Sequence, residues 1–404
     1  MSRSVLAASL AVLAMACPAV AQSEKAGPSP AVIAMRWQLL NPEVNSFTFR
    51  DTDKVFESRP VKRGGPVWDL PSGAALTLPH IDVGGQSHDY ERFAEDTFTN
   101  ALLVIRDGRI VFEDYRNRSD ETTPFISFSM AKTFTAMLVG LALDKGEIGS
   151  LDDLAVKYVP QLKGGGYDGV TIRQLLQMRS GSDIDERYDF GENPSLAGRI
   201  HESAIIRNER RFADFAIDVG RRSEPGSTFN YATLDTAVLG WVLEEAVGQK
   251  LEQQMQERIW APLGAERDGF WIADGPPGRG RALNGMGFNA TLRDFGRLGQ
   301  LLLDGGRRGQ TRVLPEGWVT QMSTMLPVPI RGPQAQPPGY GFQTWQVDEE
   351  PGAFAALGLA GQMIYVHPKS RTVIVKLSFL PPNPPPDEFA QTVAMLKAIT
   401  STQN

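Results

Sequence analysis

The strand-forming runs of this chain lie toward its two ends, and a long, mostly helical stretch separates them. Any sheet it builds must therefore collect strands that are distant in sequence. The first run is Ala101-Leu102-Leu103-Val104-Ile105-Arg106, followed by Asp107-Gly108 and then Arg109 to Tyr115. Two β-rich runs around Asp-Gly predict a hairpin, because Asp-Gly accepts the positive φ angles of a type I′ turn. β-Branched and aromatic residues return at Gly341 to Val347, Gln362 to His367 and Thr372 to Leu380, and these read as strands. Asp387 to Ile399 reads as a closing helix. Between the ends, a helix begins near Ser129, with Phe134, Met137, Leu138 and Leu141 on one apolar face, and stops near Gly146. Thr171 to Met178, Thr233 to Val247 and Thr291 to Leu303 are further helices; Gly248 and Gly305-Gly306 sit where stops belong. The expectation is an α+β fold: an antiparallel sheet from both chain ends, flanked by helices, with a mostly helical domain inserted. The boundaries read as a wrapping segment over 22–95, a sheet domain from 96–148 and 291–404, and a helical domain over 149–290.

A length of 404 residues allows one large domain or two ordinary ones. Hydrophobic content of 42% with 22% charged residues suits a soluble globular protein. The net charge is −6 and there is no basic stripe, so nothing supports a nucleic acid as partner. Residues 1–21 read as a secretory signal peptide. Arg3 supplies a positive start, Val5 to Ala16 is too short an apolar run for a bilayer span, and Ala19-Val20-Ala21 offers cleavage before Gln22. Lipoprotein processing at Cys17, the only cysteine, is the weaker alternative. The mature chain is then a cysteine-free exported protein of a bacterial periplasm, without a stable membrane span.

The stretch Phe125-Ile126-Ser127-Phe128-Ser129-Met130-Ala131-Lys132-Thr133-Phe134 carries the chemistry. Ser129 and Lys132, at i and i+3, share one helix face with the serine at the N-terminal end. There the helix offers free N–H groups and a partial positive charge to a developing oxyanion. A serine hydroxyl needs a base. A free lysine has a pKa of about 10.4, so only about one in 2,500 is neutral at pH 7. Burial has to lower that value for Lys132 to serve. The same spacing also suits a helix-capping serine followed by a solvated lysine.

The context adds Phe229-Asn230-Tyr231-Ala232-Thr233, just before a helix, and Ala356-Leu357-Gly358-Leu359-Ala360-Gly361-Gln362, just before a strand. This order of Ser-x-x-Lys, Tyr-x-Thr and a glycine-containing strand edge resembles the serine β-lactamase and penicillin-binding-protein superfamily. Thr48-Phe49-Arg50, Glu186-Arg187-Tyr188 and the ALGLAGQMIYVHP segment resemble the branch of 6-aminohexanoate-dimer hydrolase and related esterases. The resemblance implies an α/β sandwich of the transpeptidase type, acylation of Ser129, Lys132 as base partner and Tyr231 as proton relay. It also implies an oxyanion hole from the backbone N–H groups of Ser129 and Leu359, with no metal or other cofactor. Tyr188, Thr233 and Gly358 are expected to meet a small-molecule amide or ester substrate. Two departures stand out. Thr233 replaces the asparagine of the usual Tyr-x-Asn, and Ala356-Leu357-Gly358 replaces a Lys-Thr-Gly or His-x-Gly triplet.

His80, His88, His201 and His367 have no Ser-His-Asp context or metal spacing and read as surface or strand-end residues. Asp183, Asp185, Glu186 and Asp189 read as a solvated loop or a substrate-facing rim. Trp318 and Trp345 read as core. Three functions stay open: a serine hydrolase of small amides or esters, a β-lactamase or penicillin-recognising peptidase, and a non-catalytic binding protein on the same fold.

Overall fold

The computed structural model describes residues 27–329 and 337–402. The expected leader, its cleavage point near Ala21, and Cys17 lie outside the described residues. Strands Thr99–Arg106 and Arg109–Tyr115 form the expected hairpin, with Asp107 and Gly108 at φ 48° and 73°. They make one edge of an eight-stranded antiparallel sheet. Inward from that edge come Thr372–Ser378, Gln362–His367, Phe354–Gly358 and then the two-residue strands Trp345–Gln346, Gly339–Tyr340 and Leu326–Pro327. Strands from both ends of the chain thus lie side by side: Val375 pairs with Leu103 and Ile374 with Val104.

Both faces of the sheet are covered, which explains the unbroken apolar run from Ala101 to Ile105. Leu103 and Ile105 point into one core, against Gly296 of helix Leu292–Leu303. Leu102 and Val104 point into the other, with Met395, Leu396 and Ile399 of helix Glu388–Ser401. Successive residues of a strand face opposite ways, so a centrally placed strand covered on both sides has no polar face to show. Helices Ala131–Asp144 and Thr233–Val247 pack on each other and are apolar nearly all round, as fully buried helices are.

Two features differ from the sequence reading. Gly341 to Val347 is not one strand: residues 341–344 form a turn with Gln343 at φ 59°. The turn is held from outside the sheet. The Gln343 amide side chain donates to the carbonyls of Leu175 and Leu176, its carbonyls accept from Thr133 and Thr236, and its N–H donates to Leu176. A second, four-stranded sheet, in the order Ser58–Val61, Gly269–Ile272, Phe288–Thr291, Pro124–Ile126, was not anticipated. Its strands have three or four residues each, too short to show a period.

The stretch before the hairpin touches both halves. Ser29 caps helix Pro30–Trp37, and Arg36 donates to the carbonyls of Val55, Ile205 and Ile206. Further on, Gly73 and Leu76 donate to Ile110 and Val111 of the hairpin. Among the described residues no helix is long and apolar enough to cross a membrane.

Candidate active site

The small sheet delivers the serine. Strand Pro124–Ile126 runs into Ser127, whose N–H donates to Phe288 O at 2.7 Å. Phe128 then takes φ 42°, in the left-handed region that a bulky side chain avoids unless its surroundings hold it. Here the ring is buried edge-on against Phe49, with centroids 4.9 Å apart. The turn Phe128–Met130 passes directly into helix Ala131–Asp144. Ser129 therefore sits in the first turn, where backbone N–H groups have no helical acceptor. Its side chain is half-buried, whereas Lys132 one turn on is 1% exposed.

Lys132 Nζ lies 2.9 Å from Ser129 Oγ, 2.9 Å from Thr233 Oγ1 and 2.8 Å from Gly285 O. It also stands 4.9 Å from the centroid of the Tyr231 ring. Burial lowers the lysine to about 8, with the Glu186 carboxylate opposing the shift. The Ser129 side chain works against the rise in the Tyr231 pKa that burial causes, which places the phenol beside the serine. Its ring packs against Trp345 and Tyr340 at 5.3 and 6.1 Å, and burial holds the phenol well above its ordinary 10. Two groups with similar values in water are thus driven apart: a lysine that can be neutral beside a tyrosine that stays protonated. Such divergence distinguishes an acceptor from a donor of protons.

The third element is the end of strand Phe354–Gly358. A β-carbon on Gly358 would run into the carbonyl oxygen of Ser127, so the strand end lies directly against the turn that carries Ser129. Gly358 thus meets protein backbone at the place where substrate contact was expected. Leu359 follows, 52% exposed, and Gln362 Nε2 secures the carbonyls of Leu359 and Ala360. Ala356 is buried and paired with Ile364, leaving the triplet without a cation.

The remaining expected residues fall as follows. Thr233 turns its hydroxyl to Lys132 and to Glu186, rather than outward. Tyr188 is exposed at the rim, and its hydroxyl donates to Glu186 Oε1 at 2.5 Å. Of the acidic cluster, Asp183 and Asp185 pair with Arg222, but Glu186 departs from a solvated loop by reaching Thr233. Trp345 is a half-buried wall beside Tyr231 and not core; Trp318 is buried. The histidine reading needs correction at His201. His88 closes strand Gln86–His88 against Asp96, whereas His201 ends helix Leu196–His201 beneath Trp37, Tyr188 and Phe190, where burial lowers it to about 4. Trp37 comes from a segment far away in sequence, so local pattern gives no sign of its part in the burial.

Three contributors were missed: Gly285, Gln343 and, as a partner of Thr233, Glu186. Gly285 had a signal in Asn284-Gly285-Met286-Gly287, since a β-carbon there would press on Thr233 Cγ2 at 2.6 Å. Beneath the site, Asp235 accepts from Tyr167 and Ser180 at 2.8 Å each, and burial raises it to about 7. Among the described residues no group of three His, Cys, Asp or Glu side chains could hold a metal ion.

Comparison with known proteins agrees with this geometry. A family model described as Beta-lactamase matches residues 92–398. The 6-aminohexanoate-dimer hydrolase of Paenarthrobacter ureafaciens is 31% identical over 347 residues, covering 83% of this chain and 86% of that protein. A Bacillus anthracis structure provisionally named as a 6-aminohexanoate-dimer hydrolase superposes with a TM-score of 0.79 at 24% identity, over 90% of this chain and 95% of that one. A family VIII carboxylesterase shares the fold at TM-score 0.57 and 16% identity, over 80% of this chain and 99% of that one. With a sheet gathered from both chain ends and a buried lysine on a helix-start serine, the chain belongs to the beta-lactamase family, is a serine hydrolase, and is a homologue of 6-aminohexanoate-dimer hydrolase.

Proposed function

We propose that this protein hydrolyses small linear amides or short-chain esters through an acyl-enzyme on Ser129, with Lys132 and Tyr231 as its proton-transfer unit. The observation that carries the reading is the 2.9 Å contact between Ser129 Oγ and a buried Lys132 whose pKa is lowered to about 8. Neutral Lys132 takes the serine proton as Oγ attacks the substrate carbonyl. The oxyanion is received by the N–H groups of Ser129 and Leu359, each such donor contributing about 3 kcal/mol in the transition state. The Tyr231 phenol gives its proton to the departing amine or alkoxide and regains one from Lys132. Water then enters, and the same groups act in reverse to release the acid. Tyr188 bounds the substrate side of the cleft, while buried Thr233 holds Lys132 from within. No cofactor is required.

The name of the Paenarthrobacter relative supports an amide of a small linear amino acid as the substrate class. A β-lactamase or peptidase reading is favoured by the family match, but the absence of a cation at Ala356-Leu357-Gly358 weighs against it. We further propose export to a bacterial periplasm after cleavage near Ala21, supported by the charge and apolar pattern of residues 1–21. Mass measurement of the secreted chain tests the cleavage point.

The test of function is labelling with a fluorescent fluorophosphonate and mapping of the modified residue. Ser129 is the expected site, and Ser129→Ala should lose both the label and p-nitrophenyl butyrate turnover while keeping its circular dichroism. A label elsewhere, or more than a few per cent residual activity, overturns the reading.

A further inference from the structure

Of the three oxygens around Lys132 Nζ, two have a fixed role. Gly285 O is a carbonyl and can only accept. Thr233 Oγ1 is a hydroxyl, free in principle to donate to the amine. Its hydrogen is committed elsewhere: it donates to Glu186 Oε1 at 2.5 Å, while Glu186 Oε2 accepts from Thr233 N–H at 2.8 Å. A carboxylate offers no hydrogen in return, so the Thr233 oxygen presents its lone pairs to Lys132. A neutral amine has two hydrogens and one lone pair. The hydrogens go to Gly285 O and Thr233 Oγ1, and the lone pair is left facing Ser129 Oγ, 2.9 Å away.

We propose that Glu186 is a positioning residue: by holding the Thr233 hydroxyl it aims the Lys132 lone pair at Ser129. Its negative charge also favours the lysine's proton, against the larger effect of burial. Threonine with a carboxylate behind it thus does the work for which an asparagine amide would need no help. The inference rests on the Ser129–Lys132 reading above.

The charged and titratable groups facing this cluster are few. The Thr233 helix and the segment before it bring Tyr231 and, one turn deeper, Asp235, which is turned to Tyr167 and Ser180. The 183–189 loop brings Tyr188, which shares Glu186 Oε1. Asp183 and Asp185 on that loop are engaged with Arg222. Glu186 accepts three hydrogens, from Thr233 N–H, Thr233 Oγ1 and Tyr188 OH. A glutamine cannot replace it, because one end of its amide only donates.

Glu186→Gln, Glu186→Asp and Glu186→Ala test this, with Asp183→Asn as a loop control. Three readouts are taken: the pH profile of kcat/KM for p-nitrophenyl butyrate, the thermal midpoint, and the 15N NMR titration of Lys132 Nζ. Loss of a neighbouring anion disfavours the ammonium. Glu186→Gln and Glu186→Ala should therefore move the Lys132 midpoint, and the acidic limb of kcat/KM, to lower pH by about one unit. The plateau kcat should fall about tenfold or more with KM little changed, because the lone pair is no longer aimed. Glu186→Asp keeps the charge, so its midpoint should stay near that of the parent, and Asp183→Asn should change neither. The NMR titration reads Lys132 directly, so the inference can fail while Ser129 remains the nucleophile, and can be judged even if the limb in activity belongs to another group. An unmoved Lys132 midpoint in folded Glu186→Gln or Glu186→Ala, or an equal shift in Asp183→Asn, overturns the proposal. Loss of folding in all three Glu186 variants overturns it as well, since Glu186 is then a structural anchor of the loop.

Discussion

Burial moves Lys132 down and Tyr231 up, and the sign of each shift sets a pH dependence. If Lys132 is the base, as proposed, it acts when neutral, and kcat/KM should rise with pH through a limb near 8. At pH 7 a group of that pKa is about one-tenth neutral, against one in 2,500 for a free lysine. A profile flat from pH 6 to 9 would exclude Lys132 as the base. Tyr231 stays a phenol across this range and should add no alkaline limb. If the two side chains act as one unit, Lys132→Ala and Tyr231→Phe should each lower kcat by orders of magnitude and the double variant by little more. Losses that multiply in the double variant would show two independent contributions. At this scale the sequence was informative where one short segment holds the whole relation, as in Ser129 and Lys132. It was silent where the relation is made by folding. Nothing near Glu186 in sequence announces Thr233, and nothing near His201 announces Trp37.

Among the elements, the site depends on a strand end pressed against a turn. Strand Phe354–Gly358 reaches the Ser127-Phe128 backbone only because Gly358 has no side chain. The clashing atom is a main-chain oxygen of the turn that precedes Ser129, and it cannot rotate away as a side chain would. Gly358→Ala should therefore separate the strand carrying Leu359 from the turn carrying Ser129. The expected result is a folded protein with a lowered thermal midpoint and a kcat reduced at least tenfold, since oxyanion donors act only at close range. Parent-like kcat in Gly358→Ala would show that the strand end can shift without loss. The hairpin, the helix from Ser129 and the closing helix could be read from local chemistry, because Asp-Gly and the 3.6-residue period are local signals. The four-stranded sheet could not, because its strands have only three or four residues and two of its three pairings join segments more than a hundred residues apart. The break at Gln343 was hidden for a related reason: the residue is pulled out of the strand by Thr133, Leu176 and Thr236, on three other elements.

On the scale of the molecule, a sheet from both chain ends and helices from its middle meet at one cleft, and the charges at that cleft bear on the choice of substrate. Lys132 is enclosed by oxygens and faces the serine, so it cannot also receive a substrate carboxylate. The strand edge offers Ala356, Leu357 and Gly358, with Ala356 buried in the core. On the opposite rim stand Glu186 and Tyr188, an acid and a phenol bonded to each other. A β-lactam carries a carboxylate beside its reactive ring, and that charge would find no cation on the third strand and a carboxylate across from it. Loss of one charge-assisted hydrogen bond costs about 1.5–3 kcal/mol, roughly a 10- to 150-fold loss in binding or rate. Esters and amides without a carboxylate avoid that loss. The expected outcome is a kcat/KM for p-nitrophenyl butyrate well above that for nitrocefin or benzylpenicillin, measured on one preparation at one pH. Nitrocefin turnover near or above the ester rate would mean that another group supplies the missing cation, and would favour a β-lactamase.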